Sequence, residues 1–546
     1  MRSSPAELVF TGGPVRTGDG WTTAVAVTGG RVSALGDDVA AQRGPRTEVI
    51  DLRGRLLLPG FQDAHVHAVG GGYELGRCHL SEVDTLAEYT RLVAEYARRN
   101  PDAAWITGGG WSLEAFPGGI PAAGQLDAVV ADRPVFLVNR DHHGAWVNSR
   151  ALELAGITRH TPDPPDGRIE RDHDGEPNGT LQEGAVALVA RLLPEPTGEE
   201  ILAGLLRAQE LLHSLGITAW QDALLGRYAG MPDPSEAYLA AAATGKLTAR
   251  VSGALWWDRD RGAEQIEELV AKRERFRHPR LKARTVKIMQ DGIAENHTAA
   301  MLDPYLGGCG CSGSGGHRGI SFVDPRALGA YVSTLDKLDF QVHFHALGDR
   351  AVRESLDAVE AARKANGDRG NRHHLAHLQV VHPDDVPRFA ALGAVANIQP
   401  LWAAHEPQLD ELTIPFLGTE RAGRQYPFAA LLAAGARLAA GSDWPVTSPD
   451  PVQGIHVAVN RVSPGADAEV FLPEQRIELG TAIDAYTSGS AYVNHADDTG
   501  RIRPGNPADL VVLDRNPFDG PVSAIADTRV AMTFVAGQRV HTANNA

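Results

Sequence analysis

The segment Asp63-Ala64-His65-Val66-His67 follows a Pro59-Gly60 turn. On an extended strand, residues two apart point to one face, so Asp63, His65 and His67 share a side. Two imidazoles on one face at a strand end can hold a divalent metal; taken alone, the pair reads equally well as two ordinary polar histidines. The pattern recurs further along. In Gln341-Val342-His343-Phe344-His345 both histidines share a face, and in His373-His374-Leu375-Ala376-His377 the first and last do. Gly441-Ser442-Asp443-Trp444-Pro445 places a carboxylate after an apolar run, and Val286-Lys287-Ile288-Met289-Gln290-Asp291-Gly292 places a lysine inside one. A charged, unpaired lysine there would be costly. Such a set at successive strand ends is poor core material and a good metal cluster. Imidazole and carboxylate ligands suit zinc, and also manganese, iron, nickel or cobalt. Two readings of Lys287 stand. Its desolvated, neutral amine can take up carbon dioxide and become a carbamate able to bridge two metals, or it stays an ammonium paired with Asp291 or another acid.

These residues need elements to position them. Strand-like apolar runs (134–139, 217–223, 284–292, 339–349, 372–381, 393–400 and 436–445) alternate with helix-like stretches at 85–99, 199–216, 263–276 and 350–365. That alternation predicts an α/β fold with a parallel sheet, either doubly wound or a barrel. In a barrel, functional groups collect at the carboxyl ends of the strands. Residues 73–190 are rich in Gly/Pro loops and read as an insertion carrying Trp111, Phe116 and Trp146 over the barrel mouth. Residues 6–58 and the far C-terminus are both β-rich, and pair into one small sandwich or form separate edge hairpins.

The acidic balance, 52 basic against 68 acidic residues and a net charge of -16, disfavours nucleic acid and membrane surfaces as partners. Cys78, Cys309 and Cys311 are too few for a disulfide framework. No apolar run approaches ~18 residues, so no transmembrane helix is expected. The composition is compatible with a cytoplasmic protein. The Cys309, Cys311 and His317 loop lacks the paired spacing of a structural zinc site.

The order H-x-H, strand lysine, histidine, histidine, Ser-Asp resembles the amidohydrolase superfamily. Longer stretches, among them LLLPGFQDAHVH, GGGWSLEAFPGGIP, DRPVFLVNRDHHGAWVNSRALELAGIT, VHFHALGDRAV, AAGSDWPV and GRIRPGNPADLVVLD, resemble the branch that includes N-substituted formamide deformylase. The likeness spans nearly the whole chain. It implies a (β/α)₈ TIM-like barrel over 59–455, an insertion over about 73–190 after the first strand, and a composite β-sandwich from 1–58 and 456–546, with the last barrel helix reaching about 495. It implies His65, His67, Lys287, His345, His377 and Asp443 as ligands of one or two divalent metals, zinc first, with Lys287 carboxylated. Asp443 would also handle the proton. His343 would support a ligand through a hydrogen bond rather than bind metal. His143, Trp111 and Trp444 are candidate substrate contacts, and His142 stands where the branch commonly has glycine. The implied activity is hydrolysis of a C–N bond in a small molecule, with deamination, ester or carbamate hydrolysis, decarboxylation and a non-catalytic metal-binding role as alternatives; a homodimer is expected.

Overall fold

The computed structural model describes residues 5–307 and 316–544. Cys309 and Cys311 lie outside the described residues. Eight parallel strands form one sheet in sequential order: β1 (Phe61–Val66), β2 (Ile217–Leu225), β3 (Arg250–Trp256), β4 (Leu281–Met289), β5 (Gln341–Ala346), β6 (His374–His377), β7 (Val395–Ile398) and β8 (Arg437–Ala440). Every residue of β1, β2, β5, β6 and β7 is buried. This is the expectation for parallel strands covered on both faces, and it explains their continuous apolar runs. Between the two ends of the sheet, the Asp443 N–H donates to the His65 carbonyl at 2.8 Å and the His67 N–H to the Trp444 carbonyl at 2.9 Å. These bonds close the barrel where the first and last candidate ligands meet.

Helices alternate with the strands, and their ends carry ordinary signals. Gly198–Ser214 opens on a Thr197/Glu200 capping box, and Pro325–Lys337 on an Asp324 cap with proline in the first turn. Among the described residues, no helix is long and apolar enough to cross a membrane.

The chain ends build the flanking sandwich. A four-stranded sheet comes from residues 8–51; a six-stranded sheet interleaves Val15–Arg16, Trp21–Thr22 and Leu57–Pro59 with Leu510–Leu513, Val530–Val535 and Gln538–Thr542. Leu57–Pro59 pairs antiparallel with Leu510–Leu513, which rules out separate hairpins. Phe10 and Phe534 meet edge to face at 5.1 Å in the core between the sheets. The insertion after β1 has its own six-stranded sheet, within 78–183. Strand Val135–Asn139 belongs to that sheet.

Candidate metal centre

Asp443 follows β8 with φ +57°, a left-handed conformation that turns its carboxylate across the barrel mouth. Its Oδ1 lies 3.0 Å from His65 Nε2 and 3.1 Å from His67 Nε2, and its Oδ2 lies 3.9 Å from His377 Nδ1. The His377 ring centroid is 4.7 Å from that of His65 and 4.5 Å from that of His345. A chamber of about 40 Å³ is lined by these residues together with Lys287, His143 and His142. All six sequence-predicted ligands therefore meet in one place.

The strand alternation carries His65, Lys287 and His345 into the barrel, but it misassigns the sixth strand. His373 does not share a face with His377. Its Nδ1 accepts from the Val342 N–H at 3.0 Å and its Nε2 faces Asp336 at 3.1 Å, away from the chamber. A φ of +80° at His377 breaks the two-residue period and swings that ring inward. His374 faces the barrel interior instead, its ring 4.0 Å from His343.

Behind the ligands a hydrogen-bond relay fixes a tautomer. Gln341 Nε2 donates to the Arg372 and Val493 carbonyls, so its Oε1 accepts from Gln221 Nε2 at 3.3 Å. Gln221 Oε1 then faces His343 Nδ1 at 2.7 Å, and His343 Nε2 faces His65 Nδ1 at 2.9 Å. His343 must donate from Nδ1, so its Nε2 accepts the proton of His65 Nδ1. The His65 Nε2 lone pair is left pointing at a carboxylate oxygen. Burial first, then Lys287, pushes His65 down to about 3, so a proton does not fill that gap at neutral pH. Two acceptors at 3.0 Å call for a cation between them, and the donor set fits a divalent metal. Both ring nitrogens of buried His377 and the Nζ of Lys287 also lack a hydrogen-bond partner.

Lys287 is not paired with Asp291. That carboxylate accepts from the Leu347, Gly348 and Ala300 N–H groups and faces His345 Nδ1 at 3.3 Å, orienting the ring. Burial pushes the Lys287 amine down to about 7, against the pull of Asp443.

His143 lines the chamber, its Nδ1 2.9 Å from Glu183 Oε1. Burial disfavours the imidazolium; Glu183 and Asp141 outweigh burial and raise it to about 9. Glu183, fully buried and also accepting from Thr298 Oγ1 at 2.7 Å, was invisible to sequence reasoning because nothing local marks it. His142 has φ +64°, the conformation that favours glycine at this point of the branch. Its Nε2 lies 3.3 Å from Glu74 Oε1, a second unforeseen carboxyl, raised by burial to about 8.

Two candidate substrate contacts are corrected. Trp111 is fully buried in the insertion's own core; its indole N–H donates to the Leu137 carbonyl at 2.9 Å and its ring meets Phe116 and Trp146. Burying these aromatics together outweighs exposing them at the mouth. Trp444 packs beneath the chamber against the helix Ala68–Glu74, where a Cβ on Gly71 would lie 2.8 Å from its ring. Beside the polar groups, the chamber is lined by Leu224, Tyr228, Met231, Trp256, Met289 and Val446. His317, by contrast, stacks beside Tyr305 at 6.2 Å.

The chain matches the model of the amidohydrolase family over residues 48–541. It is 31% identical to the Protein LONG AFTER FAR-RED 3 of Arabidopsis thaliana, over 98% of this chain and 92% of that one. It is 28% identical to the N-substituted formamide deformylase of Arthrobacter pascens, over 97% of each. An uncharacterized metal-dependent hydrolase from Pyrococcus furiosus superposes with a TM-score of 0.70 at 25% identity, covering 93% of this chain and 99% of that one.

Proposed function

The chain belongs to the amidohydrolase family, and from that membership we propose that it is a hydrolase cutting the C–N bond of a small amide or N-substituted formamide. The observation that carries this reading is the approach of His65 Nε2 and His67 Nε2 to 3.0 and 3.1 Å from Asp443 Oδ1, with no proton available for the gap at His65. His65, His67, His345, His377 and Asp443 would hold one or two divalent ions, zinc first, with Lys287 as amine or carbamate. Such an ion supplies Lewis acidity, lowering the pKa of water toward ~7 and polarising a carbonyl.

The protein's own groups then have defined tasks. Asp443 Oδ1 faces His65 and His67, and Oδ2, 3.9 Å from His377 Nδ1, is the oxygen that takes the proton of the attacking water. It returns that proton to the departing nitrogen as the C–N bond breaks, leaving a carboxylate and an amine. The His143 imidazolium, fixed by Glu183, offers Nε2–H to the oxygen on which negative charge develops. Tyr228, Met231 and Trp256 wall the chamber and limit water around the reacting carbon. The 28% identity to a protein named for deformylation supports formamides as the first substrates to assay.

The test is elemental analysis of protein purified without chelator, with turnover of N-substituted formamides and aryl amides before and after chelation. One to two equivalents of metal and chelator-sensitive amide cleavage are expected. Metal with turnover only of esters or amino-purines would overturn the amide assignment while keeping the site.

A further inference from the structure

Beside the metal chamber lies a second cavity of about 70 Å³, and Asp141 and Val446 line both. This is room for several water-sized groups. Its walls come from loops at the carboxyl ends of the barrel strands and from the insertion: Asp141 from the insertion, Glu295 after β4, Gln379 after β6, Trp402 and Glu406 after β7. The wall is unusual in what it lacks. Glu295 Oε1 accepts from Thr413 Oγ1 at 2.7 Å and Gln379 Nε2 at 3.5 Å. No hydrogen bond to the Glu406 carboxylate is found among the described residues. Gln379 is 1% exposed, and its Oε1, on the cavity wall, has no hydrogen-bond partner among the described residues.

The guanidinium of Arg140, on the same wall, makes no hydrogen bond to these acceptors, though its charge acts on Glu406. Arg140 donates to Asp84 at 2.9 Å and lies 3.9 Å from Glu114. The His143 imidazolium is hydrogen-bonded to Glu183, and its charge also acts on Asp141 and Glu295. Glu406 is exposed to solvent and stands at the open side of the cavity. Leaving the buried Gln379 Oε1 unsatisfied is expensive, and three acids in one cavity repel. The indole of Trp402 forms part of the same wall while stacking on His377, with ring centroids 5.1 Å apart and planes 4° from parallel. An aromatic face beside carboxylates is the usual surroundings of an organic cation.

Building on the hydrolase reading above, we propose that this cavity is the substrate's second anchor: it binds an N–H-rich organic cation, an ammonium or guanidinium, carried on the part of the substrate remote from the scissile bond. Glu295, Glu406 and Gln379 Oε1 receive its N–H groups, Trp402 covers it, and Asp141 marks the passage by which the rest of the molecule reaches the chamber. The substrates would thus be amides or formamides of polyamine or guanidino-amine type.

The experiment compares N-(ω-aminoalkyl)formamides and their guanidino counterparts, with linkers of three to six carbons, against neutral N-alkylformamides of equal length on the metal-loaded enzyme. At least one cationic length is expected to exceed its neutral partner in kcat/KM by about tenfold or more, chiefly through KM, about one decade per charge-assisted contact. In Glu406→Gln and Glu295→Gln, checked for folding by circular dichroism, the cationic-to-neutral ratio is expected to fall toward one. Calorimetric titration of the same protein with putrescine, and with the neutral butanediol, reads the cavity without turnover. Formamide turnover with no cation preference and no putrescine binding overturns the subsite and leaves the hydrolase reading intact. Putrescine binding that Glu406→Gln weakens, with no amide turnover, keeps the subsite and removes the amide reading.

Discussion

Burial pushes the Lys287 amine down to about 7, and no described group hydrogen-bonds it. A neutral amine at that position is nucleophilic toward carbon dioxide. Protein equilibrated with ¹³C-bicarbonate and metal is expected to show a carbamate carbon resonance that Lys287→Ala lacks; silence in the metal-loaded wild type would leave Lys287 as a plain amine. Asp443→Asn is expected to keep the fold and lose on the order of 10²–10⁴ in kcat, the range of general acid–base catalysis; near-normal turnover would remove the proton role. Glu74 offers a pH prediction. Its folded pKa, about 8, lies above its ordinary value of 4.5. The folded state therefore holds a proton that the unfolded chain has lost, and the stabilisation present below pH ~4.5 is lost as pH rises toward ~8. Urea titrations of wild type and Glu74→Gln should diverge in that window, the wild type losing at most ~1.4 kcal/mol per pH unit relative to the variant. Parallel curves would mean that Glu74 is already ionised.

At the scale of elements, the chamber floor depends on close helix packing. Helix Ala68–Glu74, directly after His67, crosses Gly198–Ser214 so tightly that a Cβ on Gly72 would lie 2.0 Å from the Gly204 carbonyl oxygen. Backbone cannot yield as a flexible side chain can. Gly72→Ala is expected to cost ~1–3 kcal/mol, read as a lower denaturation midpoint at unchanged slope, and to weaken metal retention, because His67 and Trp444 move with that helix. Some elements announced themselves. The helix Leu86–Arg99 has a Thr85 cap and basic residues in its last turn, and β5 reads as alternating Val, His, Phe, His. Others did not. Strand β3, Arg-Val-Ser-Gly-Ala-Leu-Trp, has neither a long apolar run nor a clean alternation, and only its pairing with β2 and β4 makes it a barrel strand.

At the scale of the molecule, the two chain ends share a sheet. Removing residues 510–546 would strip three of six strands and leave Leu57–Pro59 as a bare edge directly ahead of β1. Such a truncation is expected to be aggregated or unfolded, with no metal-dependent rise in melting temperature, as judged by size-exclusion and thermal scanning. The intact protein should melt higher with increasing metal, by ~2.7 kcal/mol of added stability at a hundredfold excess over Kd; His65→Ala should abolish most of that rise.

Residue type and local spacing by themselves determined the α/β alternation, the β-rich termini and the His, Lys and Asp clusters at the strand ends, because strand periodicity and turn signals act over a few neighbouring residues; the candidate ligand set His65, His67, Lys287, His345, His377 and Asp443 was implied by the family resemblance. Only the tertiary structure decided that His373 turns away while His377 turns in, since that rests on one left-handed φ. It also decided that Trp111 belongs to a core, since burial depends on what an opposing layer supplies. Glu183 finds His143 across 40 residues and Thr298 across 115. Glu295, Gln379 and Glu406 meet only because barrel closure brings separate loops to one mouth. Those distances are set by folding, and no local pattern in the chain records them.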